Sequence, residues 1–462
     1  MSETYRDRLA TIDQRGKRIW VYPLKPKGPY YNARTLVSVF LLAFLFGAPF
    51  IKVNGEPLLL LDIVHRQFYI FGFIFWPQDI YLFVLALISL MVFVVLFTAI
   101  FGRLFCGWVC PQTVFLEMVF RKIEFLLEGS GSTQRQFNEA TWTFGKTIRK
   151  LAKYIIFAIL AFLVGNTFLS YFIGIESLKE IVTAPPNEHL TGFIFMLLFS
   201  GAFYFVFIWF REQACTLVCP YGRLQSVLLD SNSLVVAYDF KRGEPRGPLK
   251  KHSEGQGDCI DCMACVRVCP TGIDIRNGTQ LECVNCTACI DACNHTMKRV
   301  GFEPGLIRLA SYDQISNTGK LRITPRIRLY GVVFIILVSV LATLMIMRTP
   351  VQATILRTSG SLFEEMTDGT IRNVYVVKVT NKTARDLPIT LKLESPAGEL
   401  TLLGPALEVE PRGQDESVFS VQIPRKSIFT ANQLLVVGLY SGDKKLEDVR
   451  TMFVGPDPGG AR

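Results

Sequence analysis

Eight cysteines fall within 35 residues, at Cys259, Cys262, Cys265 and Cys269 and again at Cys283, Cys286, Cys289 and Cys293. Each run reads C-x-x-C-x-x-C-x-x-x-C. A lone C-x-x-C is compatible with zinc or a redox dithiol. Zinc ribbons use two pairs of ligands, not two identical quartets. The doubled quartet is the spacing of two-cluster bacterial ferredoxins, in which the fourth cysteine of each run ligates the other cluster. The spacing therefore predicts two 4Fe–4S clusters. Cys259, Cys262, Cys265 and Cys293 would hold one, and Cys283, Cys286, Cys289 and Cys269 the other. Pro270 follows the first run, whereas Asn294 follows the second.

The rest of the chain must carry this domain in a membrane. Of its 462 residues, 50% are hydrophobic, and five apolar stretches are long enough to cross a bilayer. They lie at about 35–51, 80–101, 151–174, 190–210 and 327–347. Lys plus Arg number 8 in residues 1–34, 7 in 102–150 and 16 in 211–328, but 2 in 52–79 and 1 in 175–189. The alternation predicts a cytoplasmic N-terminus and cluster domain and an external C-terminal domain. Every cysteine then lies on or at the reducing side, which argues against structural disulfides. The net charge of +10 is explained by topology rather than by nucleic acid, for which no binding module is present.

Domain boundaries follow: a basic tail (1–34, without a cleavable signal), a membrane domain (35–240), a ferredoxin-like domain (241–310), the fifth span (327–347) and a C-terminal domain (350–462). Residues 58–76 are apolar but interrupted by Asp62, His65 and Arg66, which predicts an external re-entrant or interfacial segment. Residues 129–140 read as a polar turn, and 241–255 as a basic linker facing lipid headgroups. In the last domain, 373–383, 387–395, 416–425 and 432–442 alternate apolar and polar residues, which predicts an Ig-like β-sandwich. The fold class is multi-domain: a five-helix polytopic bundle, an inserted dicluster domain and an all-β tail.

The other four cysteines form a second repeat. FGRLFCGWVCP carries Cys106 and Cys110, and FREQACTLVCP carries Cys215 and Cys219, each after an apolar helix and an arginine (Arg103, Arg211). An i, i+4 spacing would put both sulfurs of a pair on one helix face, while the following proline favours an extended second cysteine. The pairs could bind copper, for which soft thiolates select Cu(I), ligate a further cluster, or cycle as dithiols; simple packing is the bland alternative. His65 with Asp62 is a weaker metal candidate, and His189, His252 and His295 read as solvated. Trp76, Trp108 and Trp209 read as interfacial anchors.

CGWVCP (106–111), CTLVCP (215–220) and the doubled quartet (259–293), with the β-rich tail, resemble the CcoG/FixG/Rdx family over nearly the whole chain. The tail separates this resemblance from membrane ferredoxins of the nitrate-reductase accessory type. It implies a bacterial inner-membrane cupric reductase, delivering Cu(I) during assembly of cbb3-type cytochrome c oxidase. Copper would be its substrate at Cys106, Cys110, Cys215 and Cys219. Implied partners are membrane lipid, a cytosolic electron donor, copper chaperones and oxidase assembly factors, and a homo-oligomer is compatible. A quinol-linked ferredoxin feeding another reductase and a scaffold with structural clusters are the alternatives.

Overall fold

The structure, a computed structural model, describes residues 10–13, 15–53, 55–63, 66–249, 255–317, 323–358, 360, 362–383, 385–411 and 413–456. His65 and His252 lie outside the described residues. The chain divides into two compact units, residues 1–341 and 342–462.

Among the described residues five helices are long and apolar enough to span a membrane: Pro29–Phe50, Ile80–Phe101, Phe144–Ile173, Leu190–Phe210 and Pro325–Ile346. The third begins seven residues before the expected 151. Its first turns are polar, with Lys146, Lys150 and Lys153, so hydropathy undercounts them, and Thr143 caps the start by accepting a bond from the Lys146 amide. The segment after the first span is built from short strands rather than a helix. Leu59–Asp62, Gln67–Ile70 and Phe73–Phe75 form an antiparallel meander. Strands of three or four residues are too short to cross a bilayer. Trp76 is 6% exposed, so it is a core residue rather than an interfacial anchor.

The basic tail is not loose. From Ala10 to Gly28 it lies across the cluster domain as an arm. The Leu24 amide donates to the Arg267 carbonyl at 2.8 Å, and Ala10 donates to Glu282. The first span then starts on a carboxylate from elsewhere in the chain, since Asp291 accepts from the Tyr30 and Tyr31 amides. A Cβ at Gly28, whose φ is +154°, would fall 2.3 Å from the Asp291 carboxyl carbon. Ser132–Glu139, expected as a turn, is a helix, held by Lys146 donating to the Asn138 carbonyl at 3.0 Å.

The cluster domain also starts earlier than 241. Val235–Tyr238 pairs antiparallel with Ile307–Ala310, closing the domain's two ends together. Nor is the expected linker free over its described part. Arg242 is ion-paired with Asp258, and the Gly247 amide donates to the Cys259 carbonyl at 3.1 Å.

The second unit is a sandwich of two antiparallel sheets. One runs Glu399–Leu402, Gln414–Pro424, Thr370–Asn381, Val351–Arg357, with Glu364–Glu365 on Thr370–Asn381; the other runs Leu407–Val409, Leu387–Ser395, Asn432–Ser441, Lys444–Val454. Inward residues alternate as the pleat demands, and Tyr375, Phe419, Val437 and Phe453 are fully buried.

Candidate functional site: two four-cysteine cavities and a membrane-edge thiol cluster

The two quartets fold into matching loops. Asp261 (φ 52°) and Met263 (φ 58°) in the first correspond to Asn285 (φ 51°) and Thr287 (φ 64°) in the second. Four non-glycine residues in the left-handed region at the same two positions are a costly conformation, which turns the amides and thiols of each loop inward. The loops differ afterwards. Ala264–Arg267 is a single turn that ends before Cys269 and Pro270, while Ala288–Val300 continues through Cys293. A proline at 294 would break that helix. Asn294 occupies the position instead, and its side chain accepts from the Gly305 amide at 2.8 Å.

Two cavities result. One is lined by Cys259, Cys262, Cys265 and Cys293. The other is lined by Cys269, Cys283, Cys286 and Cys289, and also by Cys265, which faces both cavities. The first cavity draws three cysteines from the first run and Cys293 from the second; the second draws three from the second run, with Cys269 and the shared Cys265 from the first. All twelve cysteines are unpaired. Burial pushes the Cys265, Cys283 and Cys293 thiols up to about 12, so they become thiolates only against a strong cationic centre. Among the described residues no three His, Cys, Asp or Glu side chains converge closely enough for one bare ion. A cubane holds its four thiolates farther apart than one ion does, so the donor sets fit cubanes rather than zinc. His295 is exposed and lines neither cavity.

The membrane-edge cysteines also come together, but not as helical i, i+4 pairs. Cys106 lies in a one-turn helix, Leu104–Trp108, and Cys110 beyond its end is extended (ψ 124°). Cys215 lies in a π-helical turn and Cys219 is extended (ψ 110°). Proline after each pair makes the second cysteine the N-cap of a new helix. Burial first, then Cys110, Cys106 and Cys219, push the Cys215 thiol up to about 12. Cys106 donates to Gln225 Oε1 at 3.1 Å, and Arg103 Nε donates to the same oxygen at 3.0 Å. Gln225, fully buried, went unnoticed in the sequence; its signal is a polar residue six places after Cys219 on an otherwise ordinary helix.

This thiol cluster abuts the second cavity. Cys106 packs with Val268, Val284, Cys286 and Ala288. A Cβ at Gly107 would fall 2.4 Å from the Val284 carbonyl oxygen and 2.9 Å from the Cys286 amide. Gly107→Ala is therefore expected to cost about 1–3 kcal/mol and to lower iron retention of the second cavity on purification. Wild-type iron content and unfolding midpoint in that variant would contradict the close approach.

The two arginines of the repeat are not equivalent. Counted back from the first cysteine, Arg211 corresponds to Gly102, and both make the same turn (φ 48°, ψ −124° and φ 55°, ψ −130°). Arg103 serves the thiols, whereas Arg211 makes a two-pronged pair with Glu124 at 2.6 and 2.8 Å. Around that pair lies a buried charge network. Glu117, Arg121, Glu124 and Glu128 recur at helical spacing inside an apolar run and meet Lys150 and Lys153 of the third span. Arg121, 1% exposed, also donates to the Pro270 carbonyl at 3.3 Å, beside Cys269. Burial pushes Glu124 up, but the Arg211 guanidinium outweighs it and holds the carboxyl down at about 2.

Three family models match the chain: a 4Fe–4S dicluster domain at residues 210–312, a 4Fe–4S binding domain at 83–128, and the Ig-like fold at the C-terminal of FixG at 341–456. The chain is 34% identical to the protein RdxA of Cereibacter sphaeroides over 409 residues, 84% of each chain. It is 34% identical to RdxB of that organism over 82% of this chain and 83% of the other. It is 31% identical to the nitrogen fixation protein FixG of Rhizobium meliloti over 84% and 82%. With five apolar helices and two iron–sulfur clusters, it is a multi-pass membrane electron-transfer protein. Relatives matched over more than four-fifths of its length place it by descent: the chain belongs to the FixG/Rdx family.

Proposed function

We propose that this protein is a cupric reductase that supplies Cu(I) for assembly of cbb3-type cytochrome c oxidase. The observation that carries the reading is the packing of Cys106 against the loop of Cys286, which brings the membrane-edge thiols to the wall of a cluster cavity. Cys259, Cys262, Cys265 and Cys293 hold one cubane, and Cys283, Cys286, Cys289 and Cys269 the other. The clusters supply one-electron transfer. Copper is the substrate: Cu(II) takes one electron and becomes Cu(I), which the thiolates of Cys106, Cys110, Cys215 and Cys219 favour over Cu(II). Arg103 and Gln225 orient Cys106. The alternation of basic segments supports clusters in the cytoplasm of the bacterial inner membrane and the sandwich in the periplasm, where copper chaperones and oxidase assembly factors would meet it.

The test is anaerobic mixing of the reduced protein with stoichiometric Cu(II). The Cu(II) EPR signal should vanish in step with cluster oxidation, and persist in cluster-free protein. Changing all four membrane-edge cysteines to Ser should abolish copper binding and leave both clusters. Copper retained without those four would overturn the site.

A second reading has its own support. The 4Fe–4S binding-domain match at 83–128 contains only Cys106 and Cys110 as possible thiolate ligands. On that reading the four membrane-edge thiols hold a third cubane. Iron analysis separates the two: about eight irons per chain for two cubanes, about twelve for three.

A further inference from the structure

A cleft open to solvent lies outside the cysteine sites, between the end of the fourth span and the start of the third. Its rim is aromatic: Trp20, Tyr154 and Trp209 are 43%, 40% and 48% exposed. Its inner wall is charged. Glu128 pairs with Lys153 at 2.7 Å and Lys150 at 3.5 Å, and Glu124 pairs with Arg211 at 2.6 Å. Glu124 and Glu128 are 3% exposed, Arg211 7% and Lys153 8%. Beyond the rim, Ile155 and Ile159 of the third span are half exposed, so the mouth opens where the surface turns from charged to apolar.

The cavity also adjoins a cluster loop. Val21 of the arm lines it, and the same side chain would lie 3.1 Å from a Cβ at Gly272, three residues after Cys269. Arg121 ties the charge network to Pro270. A ligand in this cavity therefore sits one side chain away from the loop carrying a cysteine of the second cavity.

We propose that this cavity binds the ring of a lipid-soluble hydroquinone and delivers its electrons to the clusters. The rim rings match a flat aromatic occupant, and the charged inner wall, with Gln134 and Asn138 beside it, supplies polar groups for the oxygens of such a ring. Three cations against two carboxylates favour the ring as its oxygen loses a proton. The step balances as QH2 → Q + 2 e− + 2 H+. Both O–H bonds break, and the ring is oxidised. Each of the two clusters takes one electron. One proton goes to the Glu128 carboxylate and one to water at the mouth. The inference rests on electron transfer through the clusters, and its test reads the clusters themselves, so failure of the copper reading leaves it standing.

The full chain in lipid nanodiscs, under argon, is mixed with decylubiquinol or menadiol, and cluster absorbance is followed. The reverse reaction uses dithionite-reduced protein, freed of dithionite, and the matching quinone. Electron exchange is expected in at least one direction. Glu128→Gln and Asn138→Trp, which fills the cavity, should slow it about tenfold or more, with dithionite reduction unchanged. No exchange in either direction with chemically reducible clusters, or exchange at the wild-type rate in both variants, overturns the proposal. Should the variants fail to fold, an azidoquinone on the wild-type chain decides. Labelling of Tyr154 or Trp209 supports the site. Labels spread along the spans, or displaced by phosphatidylglycerol, overturn it.

Discussion

Arg211→Ala should destabilise the first unit by about 3–5 kcal/mol, the cost of leaving a buried carboxylate without its partner. Glu124 and Arg211 are nearly inaccessible and meet through two bonds. The same substitution removes a non-glycine residue's side chain from a left-handed turn without relieving the turn, since alanine has a Cβ too. Arg211→Gly, which suits the backbone but not Glu124, should recover little. Replacing both partners with leucine should recover much of the loss. The pH dependence has a definite sign. Glu124 is depressed from an ordinary 4.5 to about 2 in the folded chain. Its contribution, about 3 kcal/mol, is therefore complete above pH 4.5 and lost as pH falls towards 2. Arg211→Ala should lose this part of the acid dependence. Denaturant unfolding in detergent from pH 7 to 3 measures both, and an acid limb unchanged in the variant would refute the pairing.

Cys269→Ala should strip iron from the cavity built on Cys283, Cys286 and Cys289, although Cys269 belongs to the other run. Iron should fall from about eight to about four per chain, and the remaining EPR signal should match that of Cys286→Ala. Cys262→Ala should leave the complementary signal. Ligation within each run predicts the opposite: Cys269→Ala would resemble Cys262→Ala. The cavity linings favour the crossed arrangement, because Cys293 reaches the first cavity from a helix that starts in the second loop.

Patterns that repeat within a short window were readable from the sequence. The quartets repeat every few residues, the spans are long and apolar, and the longer sandwich strands alternate. What was not readable depends on partners far away in the chain. Val351–Arg357 and Lys444–Val454 are strands because Thr370–Asn381 and Asn432–Ser441 offer them edges. The meander at 59–75 was hidden by apolar residues that suit a helix equally well. Gln225 is an ordinary helical glutamine until Cys106 and Arg103 converge on it. The charge network did leave a trace, in four charged residues at helical spacing between 117 and 128. Hydropathy averages over such a stripe, and only the facing lysines of the third span give it meaning.

The arm has a consequence for the order of events during synthesis. Arg18 is made 194 residues before the glutamate it pairs with. At about 5–20 residues per second that is a wait of about 10–40 s on the ribosome. The first helix is thus threaded into the bilayer while its leader has nothing to hold. The second half of the cluster domain, later still to emerge, brings Glu282 and Asp291, which bind Ala10 and the start of that helix. The arm is an early-made strap fastened late, and iron loading has a natural window before the buckle closes.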